Sequence, residues 1–597
     1  MDIAAENSLN NRIIRNTFRA QVVGYVVASL SSVIETLIDG VIIGQFLGME
    51  AISAFGIVSP LMVAFAMAGA IVSAGARTRY VRLVGEGKVS KAQAVFSLAC
   101  LLAVLFAAAM MLLVLVFATP LTRLLGATGN AADLLPRARA YLIGIAIGLP
   151  VKNLTWILWT FMPIDNDRRL LMIASAATTV INTVLDLLVI FVLHGDTLEM
   201  GLASSLSNLM TLFILLLHFR KKDILLRFSF GGLPWSETGN LLRQGLPAGL
   251  FRLGNTLRVA FMNHSLALVA SSAAIAAYSV HRQMYSFLNP LALGIADTVA
   301  VLAGVLLGER SLGSLRRMFS LALRTVLIAS AALLAIGWFL APQFSSLYIR
   351  DDSEALRLAV RATRCYLLGM PLYGVNLLYM NYCQGIGRSR LSSLASTSSS
   401  IILPVLATLL MLPRFGADAV WFAFPVAQLL MFVFYMAAVT AAGRKGDIHG
   451  GFWQHILLME DGFDVPQEDC MDRTVTSVEE VAELSRSVWR FCDAHGCDVR
   501  RRYLMSLSVE EMVGNVIEHG FSKDHRRHSV DVRVLKIGEN YSLRIRDDCL
   551  IFDPIKQLTL FSESDPTHHI GLRMIIRTAK EADYICILKL NNLLVTV

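Results

Sequence analysis

The chain has 597 residues, of which 55% are hydrophobic and only 16% are charged, and its mean hydropathy is +0.59. A soluble domain carries about 25% charged residues, so this composition excludes a single water-soluble globule, a disordered chain, a fibrous repeat and a disulfide scaffold. The formal net charge of +8 comes from basic residues at the ends of apolar runs, which indicates membrane topology, and we expect no nucleic acid partner.

Apolar segments follow one another from about residue 18 to about residue 442. Each can cross ~30 Å of hydrocarbon, which takes ~20 helical residues, and backbone groups in lipid must bond within their own helix. The twelve predicted spans are 20–42, 51–73, 93–118, 138–160, 170–193, 199–218, 244–270, 275–305, 318–341, 362–382, 391–412 and 419–441. Polar residues interrupt the seventh and eighth spans: Arg252, Arg258, Asn263, His264, His281 and Arg282.

The distribution of Lys and Arg predicts the orientation of these spans. Basic residues cluster in alternate loops: Arg77, Arg79, Arg82, Lys88 and Lys91; Arg168 and Arg169; Arg220, Lys221, Lys222 and Arg227; Arg310, Arg316 and Arg317; Arg388 and Arg390. The loops that begin at Gln45 and His194 have none, although two other opposite loops carry Arg123, Arg137, Arg350 and Arg357. We therefore expect a bacterial inner membrane protein with both termini in the cytoplasm.

The membrane region repeats itself. Tyr141-Leu-Ile-Gly opens one span and Tyr366-Leu-Leu-Gly opens the equivalent span of the second half, and each is followed by a proline and a short basic loop. Two six-helix halves are typical of a transporter whose substrate site lies between repeats, although short motifs also recur by chance. The predicted domains are 1–222, 223–445 and, after a sharp change in composition, 446–597.

Ionisable residues inside predicted spans are costly in lipid and usually face a cavity. Asp39 and, one turn earlier, Glu35 lie in the first span, and Asp186 lies in the fifth with Asn182 on the same face. Carboxylate and amide oxygens can hold a proton or Na⁺. The alternative is that Asp186 and Asn182 only join two helices. Asp297 is predicted to be a helix-end residue.

These motifs resemble the multidrug and toxic compound extrusion (MATE) family over about residues 10–445. The resemblance rests on Ile38-Asp39-Gly40-Val41-Ile42-Ile43-Gly44-Gln45-Phe46-Leu47-Gly48, Ala51…Ala54-Phe55-Gly56…Pro60, Gly85-Glu86-Gly87, Asn182…Asp186, Gly195…Gly201-Leu202-Ala203 and Gly369-Met-Pro371…Gln384-Gly-Ile-Gly387. It implies twelve helices in two six-helix lobes and efflux of amphiphilic or cationic compounds driven by H⁺ or Na⁺. The family's cation site maps onto Asp39, Asn182 and Asp186, with Ser204 and Asn153 as further matches. Asn255 stands where some members place a glutamate.

Residues 446–597 are predicted to form a separate cytosolic α/β domain. The pattern predicts a strand, helices near 476–495 and 499–520, strands near 528–537 and 541–548, a helix near 570–582 and strands near 583–590 and 592–597. Glu511, Asn515 and His519 are each one turn apart on the second helix, which amphipathic helices often show without chemistry.

The order of motifs in this domain is similar to the GHKL ATP-binding fold, a Bergerat-type sandwich, in the branch of the anti-sigma-factor serine kinases. It rests on Glu511 and Asn515, then Arg546-Asp547-Asp548-Cys549, Phe552-Asp553-Pro554, Ile570-Gly571-Leu572 and Asn591-Asn592-Leu593-Leu594. The resemblance implies ATP with Mg²⁺: Glu511 as the base, Asn515 as the Mg²⁺ ligand, Asp547 on the adenine amino group and Gly571 near the phosphates.

Two residues depart from the family pattern, since Cys549 and His569 stand where it has glycines. A Cβ at either place narrows the approach of the backbone to a nucleotide. Our main hypothesis is a cation-coupled antiporter of small molecules with a regulatory ATP-binding-like domain. The alternatives are a membrane-tethered serine kinase that uses the helices as a sensor, a degenerate domain that captures a regulatory protein, and a lipid-linked saccharide flippase.

Overall fold

The computed structural model describes residues 3–597 apart from 126, 222–223, 230, 270–271, 350–352, 445–451, 461–462, 464–465, 524–527, 552 and 556–569. The first half contains α1 Ile3–Ile42, α2 Gly48–Gly85, α3 Val89–Leu124, α4 Leu135–Ile147, α5 Leu149–Phe161, α6 Arg168–Phe191 and α7 Thr197–Leu216. The second half contains α8 Thr238–Val269, α9 Ser272–Gly308, α10 Leu312–Ser346, α11 Ser353–Gly385, α12 Ser389–Thr397, α13 Leu403–Phe415 and α14 Asp418–Arg444.

Within the described ranges, nine helical segments are long and apolar enough to cross a membrane. A tenth arises if α4 and α5, which are bent by 51° at Gly148, form one broken span. Helices α8 and α11 are 32 and 33 residues long but carry more polar residues, and a π-helical turn joins α12 to α13. The all-helical membrane architecture is confirmed. The helices extend beyond the predicted spans because polar turns continue them outside the apolar core.

The two halves form two lobes that share one hydrophobic core. The shared core joins Tyr80 and Phe161 of the first lobe to Val299 and Tyr382 of the second, near the basic loops. Two smaller cores are each confined to one lobe, and they lie near the α1–α2 and α8–α9 connections. The lobes are therefore packed together at the end that carries the basic loops, which we call the tail-side end, and each has its own core at the opposite end.

Glycines allow the closest approach between the lobes. A Cβ added at Gly245 of α8 would lie 1.7 Å from the carbonyl oxygen of Ile71 in α2, and one at Gly85 of α2 would lie 2.2 Å from that of Val305 in α9. Both distances are shorter than any real contact, so only glycine permits these backbones to touch. The tail-side closure therefore depends on single positions in α2, α8 and α9.

The C-terminal domain begins with the short helix α15, Phe452–Leu457. Its five strands are β1 Cys470–Val475, β2 Val530–Ile537, β3 Asn540–Asp547, β4 Glu581–Ile587 and β5 Leu590–Thr596, in the antiparallel order β1-β2-β3-β5-β4. Helices α16 Glu479–Ala494, α17 Val499–Ser508 and α18 Ile570–Thr578 pack on one face of the sheet. Helix α18 ends four residues earlier than predicted, because the backbone N–H of Lys580 already bonds to Thr596 of the sheet.

Candidate functional site

One amide bridges Asp39 of α1 and Asp186 of α6. The Nδ2 atom of Asn182 donates to Asp39 Oδ1 at 2.6 Å and to Asp186 Oδ2 at 3.2 Å. Asn182 and Asp186 are each 1% exposed and lie one turn apart on the same face of α6. The structure therefore brings together the three residues at the centre of the predicted cation site.

Two oxygen atoms of this cluster have no partner. Asn182 Oδ1 and Asp186 Oδ1 are buried and accept no hydrogen bond from the residues that the structure describes. A buried acceptor without a donor is costly. A proton on a carboxylate, or a small hard cation among carboxylate and amide oxygens, would satisfy such atoms. Glu35, half-buried one turn before Asp39, adds a third carboxylate on α1.

The two further residues that the resemblance implied lie apart from this cluster. Asn153 donates to the carbonyl of Leu149 in its own helix, and its Oδ1 atom faces Gly69 of α2. Ser204 is half-buried in α7 and accepts through its carbonyl from Asn208. In the described part of the chain, no hydrogen bond joins either residue to an aspartate of the cluster. Their participation stays a prediction.

A cavity of about 520 Å³ lies between the two lobes, and residues of α1, α2, α5, α6, α8, α9 and α11 line it. Asp297 on its wall accepts from Arg77 of α2 at 2.9 Å. The prediction that Asp297 ends a helix is wrong, because α9 continues to Gly308. An ion pair across the lobes explains how this carboxylate stays inside the membrane region.

In the C-terminal domain, Asp547 ends β3 and is 4% exposed. It accepts from Asn591 Nδ2 of β5 at 2.7 Å and from the backbone N–H of Cys549 at 2.9 Å. Burial raises the pKa of Asp547, and these hydrogen bonds oppose that rise. Asn591 also reaches the carbonyls of Cys549 and Leu550. The carboxylate is therefore held in one orientation at the predicted adenine position.

Glu511 and Asn515 are half-buried, whereas His519 is exposed. Helix α17 continues through two π-helical stretches, Val509–Val513 and Val516–Gly520, so the predicted α-helical stripe is altered there. Within the described ranges, the side chains of Glu511 and Asn515 make no hydrogen bond. An amide oxygen and a carboxylate that are not engaged elsewhere fit the requirement for a Mg²⁺ ligand and a catalytic acid.

The end of this helix lies beside the turn after β3, since a Cβ at Gly520 would be 3.2 Å from Cys549 Sγ. Gly571 lies in the first turn of α18, and the first turn of a helix has backbone N–H groups without partners inside the helix, which suits an anion. Phe552 and His569 lie outside the described residues, so the structure gives no account of their predicted roles.

Sequence reasoning missed two features. The ligand atoms of His528, Asp548 and Cys549 lie within 4.8 Å of one another, a group that could hold a metal ion. The closing-strand motif predicts no role for Asn591, although its amide donates to Asp547 and positions it. The run Asp547-Asp548-Cys549 is the sequence signal for a polar group at this position. That His528 and Asn591 lie beside this run follows only from the pairing of the strands.

The MatE family matches residues 25–188 and 247–409, and the histidine kinase-like ATPase domain family matches residues 475–586. Among curated proteins, the multidrug export protein MepA of Staphylococcus saprophyticus is 24% identical over 386 residues, which cover 64% of this chain and 84% of that protein. MepA of Staphylococcus haemolyticus is 23% identical over 426 residues, which cover 69% of this chain and 91% of that protein.

Solved structures share the fold of the membrane region. An outward-facing multidrug resistance MATE family transporter matches with a TM-score of 0.66 at 18% identity, over 72% of this chain and 96% of that one. A mutant of the Vibrio cholerae MATE transporter VcmN matches with a TM-score of 0.67 at 17% identity, over 73% and 98%. Since the MatE match covers more than half of the sequence, the chain belongs to the MATE family of multidrug efflux transporters and carries a C-terminal histidine kinase-like ATPase domain.

Proposed function

We propose that this protein exports amphiphilic small molecules in exchange for H⁺ or Na⁺, and that Asp39, Asn182 and Asp186 hold the coupling ion. The observation that carries this proposal is the single amide that joins two carboxylates at 2.6 and 3.2 Å, with two buried oxygen atoms left unpartnered. Binding of a cation neutralises one carboxylate of the pair, and its release restores the charge. This change couples the state of the first lobe to the ion gradient.

The test uses the purified protein in liposomes with an imposed pH or Na⁺ gradient. We expect Asp39→Asn and Asp186→Asn to lower gradient-driven transport at least tenfold, because a neutral amide cannot release a proton or balance a cation. Asp133→Asn, at an exposed position before α4, serves as the matched control and should transport like the wild type. Wild-type transport in Asp186→Asn would contradict the assignment, and comparison of the two gradients identifies the ion.

The second part of the proposal concerns orientation and the C-terminal domain. The basic loops at the tail-side end support a bacterial inner membrane location with both termini in the cytoplasm. Asn515 would hold Mg²⁺ and Asp547 would accept from the adenine amino group of ATP. Cysteine labelling of intact cells tests the orientation: an impermeant reagent should label the half-buried Cys470 only after permeabilisation.

We also propose that this domain regulates the transporter to which it is fused. Its direct contacts with both lobes, described below, favour control of the membrane region over capture of a separate regulatory protein. Phosphoryl transfer to a protein serine is the alternative activity. Incubation of the full-length protein with labelled ATP and total cytosolic protein tests it, and transfer of label to a soluble protein would favour the kinase.

A further inference from the structure

The charge of the cavity between the lobes is set by one arginine. Asp297 is the single acidic residue among those that line the cavity, and its charge is balanced by Arg77 at 2.9 Å. Arg252 of α8 also lines the cavity, and no hydrogen bond or ion pair from its guanidinium occurs within the described part of the chain. The cavity therefore has a net positive charge, carried by Arg252.

An aromatic wall lies beside this guanidinium. The central carbon of Arg252 is 4.7 Å from the ring centroid of Trp156, and the ring of Trp159 is 6.5 Å from that of Trp156. Asn255, one turn after Arg252, and Asn289 of α9 add amide groups to the same cavity. Asp297 also attracts Arg252 through space, but it bonds directly to Arg77, so Arg252 has no direct ion pair in the described part of the chain. A guanidinium in that position is costly at membrane depth and is expected to serve a ligand.

We infer that this cavity selects amphiphiles that carry a carboxylate, sulfonate or phosphate group beside an aromatic ring. The planar fork of a guanidinium matches such groups with two parallel hydrogen bonds. Trp156, whose ring holds the Arg252 guanidinium on one face, and Trp159 supply aromatic surface beside the charge, against which the aromatic part of the ligand packs. The inference rests on the proposed export function and names the charge class of its substrate.

Two xanthene dyes of similar shape provide the test, since fluorescein is anionic and rhodamine 123 is cationic. Binding to the detergent-purified full-length protein is measured by fluorescence anisotropy, without any gradient. We expect the wild type to bind fluorescein more tightly, and Arg252→Gln to weaken that binding at least tenfold. Arg252→Lys should retain part of it, because the charge remains. Arg243→Gln, an exposed arginine on the same helix, is the control and should bind like the wild type.

Preference of the wild type for rhodamine 123, or unchanged fluorescein binding in Arg252→Gln, would overturn the inference. Because the assay needs no gradient, it is independent of ion coupling. Fluorescein transport that persists in Asp186→Asn would contradict the proposed coupling while leaving the substrate class intact.

A separate set of contacts connects the C-terminal domain to the first lobe. The tip of the β4–β5 hairpin inserts Leu588, which is 2% exposed, into the shared core of the membrane region. The backbone N–H of Leu588 donates to the carbonyl of Ile164 at 3.2 Å. Asn166 donates to the carbonyl of Cys586 at 3.1 Å and accepts from the backbone N–H of Lys589. The hairpin is thus bound to the loop between α5 and α6.

The same domain contacts the second lobe through the outer face of its sheet. Glu309, at the end of α9, is 6% exposed and pairs with Arg544 at 3.4 Å and with Arg546. Burial raises the pKa of Glu309, but the charges of Arg546 and Arg544 outweigh this effect and lower it overall. Arg533 of β2 donates to the carbonyl of Arg310 at 3.1 Å.

Left-handed backbone turns lie at these contacts. Six non-glycine residues of the described chain have positive φ angles, and five of them lie where the linker or the C-terminal domain meets the membrane region: Asn166, Arg310, Leu458, Leu588 and Lys589. Leu588 and Lys589 form the two-residue turn of the β4–β5 hairpin, and Arg310 and Leu458 end α9 and α15 in left-handed caps, so local turn geometry accounts for these conformations. The turns present the backbone groups that make the docking contacts.

We propose that the docked domain is an autoinhibitory clamp on the transporter. It binds the first lobe through the hairpin and the second lobe through Glu309, both at the tail-side end. Alternating access in a two-lobe transporter requires the lobes to separate at each end in turn. A domain attached to both lobes holds the tail-side end closed, so transport requires it to undock from one of them. This proposal deepens the regulatory role given above.

Glu309→Arg in the full-length protein should release the clamp, because it places three arginines together. We expect the transport rate to rise at least threefold, and amide hydrogen exchange at residues 162–168 to accelerate. Glu309→Arg combined with Arg546→Glu should restore the slow rate and the protection, and Glu309→Gln should lie between. Glu539→Arg, exposed on the β2–β3 turn, is the control.

Fast exchange at residues 162–168 without a higher transport rate would overturn the clamp, and so would unchanged protection in Glu309→Arg. The exchange measurement needs no transport, so it separates failure of docking from failure of the proposed export function. A rate that falls in every variant would assign the domain an activating role instead.

Discussion

At the scale of single residues, the nucleotide site and the clamp meet on one strand. Arg546 and Asp547 are neighbours on β3, and strand side chains alternate between the two faces of a sheet. Arg546 pairs with Glu309 of the membrane region, whereas Asp547 bonds to Asn591 at the predicted adenine position. A shift of β3 on nucleotide binding would therefore act directly on the ion pair that holds the second lobe.

The role of Asp547 leads to a prediction about ATP. Asp547→Asn should weaken Mg²⁺-dependent ATP binding by the full-length protein at least tenfold, because loss of a buried hydrogen bond costs ~1–3 kcal/mol. Asn515→Ala should weaken it similarly by removing the Mg²⁺ ligand. Isothermal titration with and without Mg²⁺ measures both effects. Glu539→Gln, an exposed position of the same domain, is the control. Binding of wild-type strength in both site variants would contradict the assignment.

At the scale of secondary-structure elements, the crossing of α2 and α8 depends on the absence of side chains. A Cβ added at Gly245 of α8 would lie 1.7 Å from the carbonyl oxygen of Ile71, and one added at Gly75 of α2 would lie 1.9 Å from that of Leu241. Because α2 and α8 belong to different lobes, this crossing is one of the contacts that close the tail-side end. Small residues at a helix crossing let two backbones approach closely in a membrane.

Gly245→Ala should therefore open or destabilise the tail-side end, whereas Gly239→Ala on the same helix has open space for its Cβ. In a helix interior, Ala is favoured over Gly by ~1 kcal/mol, so Gly239→Ala should be neutral or stabilising. We expect Gly245→Ala to lower the melting temperature in detergent and to increase labelling of Cys383 by a small thiol reagent, since this cysteine is fully buried. Identical behaviour of the two variants would show that the close crossing does not limit closure.

At the scale of the whole molecule, docking of the C-terminal domain should depend on pH through Asp531 of β2. Burial raises the pKa of Asp531 to about 6, while Arg546 of β3 and Arg317 of α10 oppose the rise and Asp472 of β1 adds to it. Thr474 donates to its carboxylate at 2.8 Å. Glu309, Ser311 and Ser314 of the membrane region line the same small cavity as Asp531, so docking contributes to its burial. Protonation therefore favours the docked state, and this stabilisation is lost as the pH rises from 3.8 through 6.

Lowering the pH from 7 to 5 should therefore strengthen docking, with about tenfold as the upper limit that the full shift of Asp531 sets. Glu309 stays ionised over this range because its pKa is lowered, so its pairs with Arg544 and Arg546 persist. Amide hydrogen exchange at residues 162–168 measures docking at each pH. Asp531→Asn should dock with little dependence on pH, and Asp472→Asn provides the comparison. A pH response that persists in Asp531→Asn would assign it to another group.

Local sequence patterns are sufficient for the membrane class, the helical passes, their arrangement in two halves and the nature of the C-terminal domain. These follow from local patterns: long apolar runs predict helices, and an α-helical spacing places Asn182 and Asp186 on one face. The motif around Asp39 was sufficient for the family. Boundaries were less accurate, because helices such as α2 extend past the apolar run to Gly85.

Which of these residues lie in contact depends on how the helices and the sheet pack together. Asn182 bonds to Asp39 across 143 positions of the chain, and Arg77 pairs with Asp297 across 220. Glu309 directly follows the membrane helix α9 and forms ion pairs with two arginines of the C-terminal sheet. The periodicity of a sequence predicts which face of its helix or strand a side chain lies on, but not which other element packs against that face. The bridged carboxylates, the position of Arg252 in the cavity and the docked domain all depend on contacts between distant elements, and these follow only from packing.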